Sequence, residues 1–327
     1  MDLLDLVCTE EVSSDLCTSS TKAGQQEFSI EVAACVDRVM ATDSRVLANM
    51  LREERRLGLV DYCTTGGGQS LIKPHMRKIV VDWMLEVVED HGCVAHVFHT
   101  AVSYLDRYLS VTATLRPLPK QSFQSLAAGC LLVASKFCEV RPISSQKLSL
   151  YTDHSVSGEE VREWEMRLLS SLGWDMSSVT VQSFLELLAS QSVTTKPAAT
   201  RHAEILAATA LTEYKFLLVR PSLMAAAALA AASRGLNLAY ALPPVLQPEA
   251  ATIAVLVDHL EALVQSYKQY TPSSASSTST QQSSTATTTS VSSSAACNPG
   301  KLPPPAAGRE GTLTPTDCHQ ISAFVGA

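Results

Sequence analysis

Residues 76–88, Met76-Arg77-Lys78-Ile79-Val80-Val81-Asp82-Trp83-Met84-Leu85-Glu86-Val87-Val88, carry two apolar stripes on one helix. At about 100° per residue, Met76, Ile79, Val80, Trp83 and Val87 share one stripe, and Val81, Met84, Leu85 and Val88 share a second. Lys78, Asp82, Glu86 and Glu89 fall together on a third arc, which is expected to face water. A core helix buried nearly all round is one reading of so much apolar surface. The charged arc favours another, a helix at the surface with one stripe in the core and one left open as a docking patch. Arg77 lies beside the second stripe, where a buried guanidinium requires a carboxylate, and Asp106 is the candidate.

Outward from this segment, residues from about 31 to 270 read as helix after helix. The breaks fall at Gly66-Gly67-Gly68, Arg116-Pro117-Leu118-Pro119, Lys196-Pro197 and Pro243-Pro244, with no alternating strand pattern. Val94, Val97, Phe98, Ala101, Val102, Leu105 and Leu109 keep the three-and-four spacing of one buried helical face. Ser157 followed by Glu160 forms a capping box that starts a helix, and Gly173 suits its far end. Two stretches of small residues, Leu126–Ser135 and Met224–Ser233, resemble each other about one hundred residues apart. Such segments let helices approach on every side, so the pair predicts two similar bundles, each with a central helix; chance similarity of alanine-rich helices is the alternative. Beyond Tyr270 the chain turns Ser/Thr-rich and then Pro-containing, a composition expected to stay disordered.

With 327 residues, of which 46% are hydrophobic, the chain has room for two domains with cores of their own. A net charge of -7 and the lack of any dense Lys/Arg run argue against nucleic acid or an acidic membrane surface as partner. Nine cysteines without a CxxC pair, behind an acidic N-terminus, predict reduced thiols in an intracellular protein. The longest wholly apolar run, Leu223–Ala232, falls short of the roughly 20 residues a membrane helix needs, so a soluble protein is expected.

No HExxH, GxSxG or P-loop pattern is present, and the glycine triplet precedes no P-loop lysine. Cys93, His96 and His99 drift around a helix without an evident fourth ligand, which favours ordinary helix residues over a metal site. Two charges are out of place. Lys136 ends an apolar helix after fifteen uncharged residues, and Glu165 lies on the stripe of Val161, Trp164, Leu168 and Leu172. They either pair with each other or cap the backbone of a partner at the edge of an apolar surface. Near the N-terminus, Leu6, Cys8 and Glu10 would share one face of an extended strand that a groove could read; chance spacing is the alternative.

Taken together, Met76–Val80 with Trp83, Tyr104-Leu105-Asp106-Arg107-Tyr108-Leu109, Ala134-Ser135-Lys136-Phe137, Tyr151-Thr152-Asp153 and Trp164-Glu165 through Leu172-Gly173-Trp174 resemble the cyclin box in order and spacing. With Leu6-Val7-Cys8-Thr9-Glu10 and Thr314-Pro315-Thr316-Asp317, the pattern is similar to that of the D-type cyclins. The resemblance implies an all-α fold of two five-helix bundles behind an N-terminal helix. Residues 1–30 would form a flexible segment, 31–178 the first box with its leading helix, 179–270 the second box, and 271–327 a disordered tail. It implies a non-enzymatic subunit, without cofactor or metal, that activates a cyclin-dependent kinase and works in nucleus and cytoplasm. Lys136 and Glu165 would cap backbone groups around the kinase's activating helix, over an apolar surface of Val133, Phe137, Leu169, Trp174 and Met176. Met76, Ile79, Val80, Trp83 and Glu86 would dock Arg-x-Leu motifs of substrates and kinase inhibitor proteins, with Arg77 and Asp106 structural. Leu6, Cys8 and Glu10 match the LxCxE motif read by retinoblastoma-family pocket proteins. Thr314, once phosphorylated, would engage an arginine-lined ubiquitin ligase receptor. The competing expectation is an adaptor of the same fold that bridges partners without activating a kinase.

Overall fold

The structure, a computed structural model, describes residues 39, 43–63, 71–113, 117–191 and 196–270, with side chains as far as 267. Leu6, Cys8, Glu10, Thr314 and the glycine triplet lie outside the described residues. Those described form α-helices and short 3-10 segments with no strand: α1 (Ser44–Glu54), α2 (Pro74–His91), α3 (Ala95–Thr112), α4 (Ser122–Cys138), α5 (Ser145–Tyr151), α6 (Gly158–Ser171), α7 (Val181–Gln191), α8 (Pro197–Thr212), α9 (Pro221–Gly235) and α10 (Ala250–Tyr270).

Each small-residue stretch lies in a central helix, as its composition predicts. In α4, Phe123 and all of Ser125–Ser135 are buried, and α2, α3, α5 and α6 pack around it over one hydrophobic core. A Cβ at Gly129 would stand 2.8 Å from the Cβ of Trp164, so only glycine lets α4 and α6 come this close. In α9, Ser222–Leu229 and Ala231–Ser233 are buried in a second core shared with α7, α8 and α10. Two 3-10 segments, Tyr214–Phe216 and Pro244–Glu249, complete that bundle. Pro248, inside the latter segment, supplies no backbone N–H, which keeps that segment from forming a regular α-helix.

Helix ends follow local chemistry. The Ser157 hydroxyl accepts from the Glu160 N–H at 3.1 Å, the cap expected at the start of α6. At its far end Gly173 and Trp174 both take left-handed backbone, with φ of 63° and 61°. Trp174 N–H donates to Leu169 O and Gly173 N–H to Ser170 O, which closes the helix as a Schellman turn.

Helix α1 precedes the first bundle in sequence but packs on the second, with Leu47, Met50 and Leu51 in that core. Its last residue, Glu54, is buried and accepts from Ser222 N–H at 3.0 Å and Ser222 Oγ–H at 2.8 Å. A carboxylate thus satisfies the start of α9, where the helix dipole favours negative charge.

Arg77 joins the two bundles. Its residue is 1% exposed, and its Nε and Nη2 donate to Asp106 Oδ1 and Oδ2 at 2.9 and 2.7 Å. Nη1 reaches across to Leu211 O at 2.9 Å and Thr212 O at 3.4 Å, carbonyls of the last turn of α8 that lack intrahelical donors. Tyr62 Oη–H completes the cluster on Asp106 Oδ1 at 2.7 Å. Burial opposes the Arg77 charge, but the Asp106 carboxylate outweighs it and holds the guanidinium more firmly protonated than usual. Burial, aided by the Asp106 charge, likewise keeps the Tyr62 phenol neutral.

Lys78 departs from its expected place on a solvated arc. Its ammonium donates to Glu213 Oε1 at 2.7 Å, Tyr267 Oη at 2.9 Å and Thr212 Oγ1 at 3.2 Å, so it is a second strap between bundles. The periodicity of α2 could not show this, because the acceptors lie 134 to 189 residues away in sequence.

Replacing Arg77 by methionine leaves the Asp106 carboxylate buried without its counter-ion and with the Tyr62 hydroxyl as its remaining donor, so urea unfolding should show a loss of about 3–5 kcal/mol. A loss below about 1 kcal/mol would mean that the pair holds nothing together.

Candidate functional site

Two surfaces carry the residues singled out by sequence. The first lies at the end of α4 and beside α6. The close contact at Gly129 brings these helices together, and two turns later Lys136 Nζ meets Glu165 Oε1 and Oε2 at 2.7 and 2.8 Å. The pair is intramolecular, yet Lys136 is about half exposed, so it also stands at the surface. Two of three ammonium protons and two carboxylate lone pairs are engaged, leaving capacity on both sides for backbone groups of a partner.

Phe137 is 61% exposed and Trp174 64%, a costly display for large aromatic side chains. Trp174 stands out because the left-handed turn at Gly173 reverses the chain there. Helix α3 holds the segment that follows: Tyr104 Oη–H donates to Met176 O at 2.7 Å and Arg107 Nη2 to Asp175 O at 2.8 Å. Met176 is half-buried against the first core. Val133, at 5% exposure, lies inside that core, as does the nearly buried Leu169. These two support the surface from beneath rather than forming its face, because one more helical turn separates Val133 from the exposed end of α4.

The second surface is the outer stripe of α2. Ile79 is 65% exposed and Glu86 is exposed, while Met76, Val80 and Trp83 are partly buried against the first core. Trp83 Nε1–H donates to Tyr151 O at 3.2 Å, which fixes the indole at the end of α5. The inner stripe of Val81, Met84, Leu85 and Val88 is fully in the core, together with Val87. The helix therefore has one buried and one half-open apolar stripe.

No group of three or more His, Cys, Asp or Glu residues among those described could hold a metal. His96 Nδ1 lies 3.4 Å from Glu186 Oε1, whereas His99 is buried with Nδ1 against Ala95 O at 3.0 Å. Burial pushes the His99 imidazole down to about 4 and the Cys93 thiol up to about 12, so both are neutral near pH 7.

Sequence reasoning missed a cleft lined by Arg56, Arg107, Phe137 and Ser178, at the junction of α1, α3 and the segment after α6. The only local signal was the arginine directly after Asp106, on the same helix but facing elsewhere.

Residues 45–177 match the cyclin N-terminal domain and residues 179–296 the cyclin C-terminal domain. The chain is 41% identical over 201 residues to the G1/S-specific cyclin-D3 of Bos taurus, covering 60% of this chain and 66% of that protein. It is 42% identical over 214 residues to the G1/S-specific cyclin-D1 of Xenopus laevis, covering 64% and 70%. The matched stretch thus spans about two thirds of these relatives. The fold also resembles the crystal structure of a viral cyclin from herpesvirus saimiri, with a TM-score of 0.56 and 23% identity over 68% of this chain and 97% of the other. Proteins of this family are non-catalytic regulatory subunits of cyclin-dependent kinases. With both cyclin domains matched in order and more than 40% identity over some two hundred residues, this chain belongs to the cyclin family, and within it to the D-type cyclins.

Proposed function

We propose that this chain binds and activates a cyclin-dependent kinase and directs it to retinoblastoma-family substrates, promoting entry into DNA replication. The observation that carries the reading is the Lys136–Glu165 pair at the surface with Phe137 and Trp174 exposed. An apolar face with charge-assisted donors and acceptors suits an amphipathic helix whose terminal backbone groups need partners. Seating the kinase's activating helix there would turn it inward, so that the kinase's own lysine and glutamate pair. The half-open stripe of Met76, Ile79, Val80 and Trp83, with Glu86 beside it, would dock short basic-apolar motifs of substrates and kinase inhibitor proteins.

Leu6, Cys8 and Glu10 would engage the pocket proteins directly, and phosphorylated Thr314 would present the chain to a ubiquitin ligase receptor. Both are short motifs in segments that need no packed core to be read. The protein would act in nucleus and cytoplasm.

Lys136→Glu should raise the Kd for the kinase about 10- to 100-fold with unchanged circular dichroism, since one charge-assisted interface bond is worth about 1.5–3 kcal/mol. Tight binding by this variant, or a stable complex whose kinase activity on a retinoblastoma-type tail does not rise, would contradict activation through this face. Ile79→Ala with Trp83→Ala should spare phosphorylation of a minimal peptide and impair substrates bearing a docking motif. Equal loss on both would show that the stripe is structural. Cys8→Gly with Glu10→Lys should abolish pocket-protein pull-down without affecting kinase pairing. In a cycloheximide chase, Thr314→Ala should outlive the parent, and decay at the parental rate would remove Thr314 from turnover.

A further inference from the structure

The cleft beside Phe137 has a volume of about 240 Å³, and two of the residues lining it, Arg107 and Ser178, each carry one unsatisfied polar atom. Arg107 Nη1 and Ser178 Oγ are buried and make no hydrogen bond among the described residues. The Arg107 side chain is 11% exposed, and among the described residues the carboxylate within 4 Å of it is Asp175, whose Oδ2 at 3.7 Å is too far for a hydrogen bond. Its Nη2 is engaged by the Asp175 carbonyl, and Asp175 Oδ1 accepts from Ser177 Oγ. The other arginine of the cleft, Arg56, is already held by Glu53 at 2.7 Å. A nearly buried guanidinium with a free N–H, lining the same cleft as a free hydroxyl, leaves room for a further charge-assisted bond.

Resting on the kinase reading above, we propose that this cleft is a second subsite of the same interface and receives a carboxylate side chain, Asp or Glu, from the kinase that covers Phe137. Phe137 lines the cleft and also stands exposed on the kinase-facing surface, so a partner seated on that aromatic closes the cleft mouth. The carboxylate would accept from Arg107 Nη1 and Ser178 Oγ–H together. An amide or a lone carbonyl would satisfy the donors but leave the guanidinium with only the long contact to the half-exposed Asp175 carboxylate, which favours the acid. The subsite would then contribute to choice among kinases, because a kinase lacking that acid leaves Arg107 Nη1 and Ser178 Oγ buried and unsatisfied.

The test is the Kd of the full chain for its kinase, measured for the parent, Arg107→Met and Ser178→Ala, with Lys136→Glu as reference. Arg107→Met retains most of the packing and should raise Kd about 10- to 100-fold, with Ser178→Ala in the same direction but smaller. On the kinase side, each Asp and Glu near the interface is replaced by Asn or Gln. One of them should reproduce the loss and be non-additive with Arg107→Met. If Arg107→Met fails to fold, the kinase-side scan against the parent chain and Ser178→Ala carries the same test. Binding of Arg107→Met within twofold of the parent while Lys136→Glu loses affinity would overturn this subsite alone, as would a scan in which no carboxylate couples. No loss with Lys136→Glu either would overturn the kinase reading and this inference with it.

Discussion

The guanidinium of Arg77 is the constraint from which much of the architecture follows. A charge with 1% exposure is tolerable only if every side of it is answered, and here α3 supplies a carboxylate while α8 supplies two carbonyls. Because those acceptors belong to different bundles, satisfying one side chain fixes the position of one bundle against the other. Tyr62 joins the same carboxylate, and Tyr214 ties the segment before α2 to the second bundle through Asp61 Oδ1 and Cys63 N–H. The junction is therefore polar and directional, which sets a geometry that apolar contact alone would leave free to slide.

Helix α2 serves three neighbours at once. Its inner stripe completes the first core, Arg77 and Lys78 hold the second bundle, and its outer stripe stays half open. The open stripe can therefore keep its exposure without loosening the fold, because the helix is anchored from its other two faces. Trp83 illustrates the balance: its indole is held by Tyr151 O, yet part of the ring remains accessible.

Lys136 and Glu165 work on a different energetic scale from Arg77. The Lys136 ammonium is half exposed while the Glu165 carboxylate is 15% exposed, so the lysine can turn to a partner at little cost from a carboxylate that the fold holds in place. The stability of that surface comes instead from beneath, from Val133, Leu169 and the close contact of Gly129 with Trp164. Rigid support under adjustable charges suits the interface proposed for this surface.

Much of this was legible in the chain itself. Helical spacing exposed the two stripes of α2, the small-residue runs identified both central helices, and Ser157 with Gly173 marked the two ends of α6. Each is a local or periodic property, so a single segment suffices to read it. The demand of Arg77 for a carboxylate was also legible, since burial of a guanidinium has few solutions, and Asp106 meets it at 2.7 Å. Tertiary structure decided the rest. Nothing near Lys78 announces Glu213 and Tyr267, nothing near Glu54 announces Ser222, and the leading helix joins the bundle that follows it least closely in sequence. Val133 and Phe137 are four residues apart on one helix, yet one is core and the other surface because the bundle ends between them. Sequence spacing reports which residues share a face of one helix, whereas only the packing of distant helices determines what that face meets.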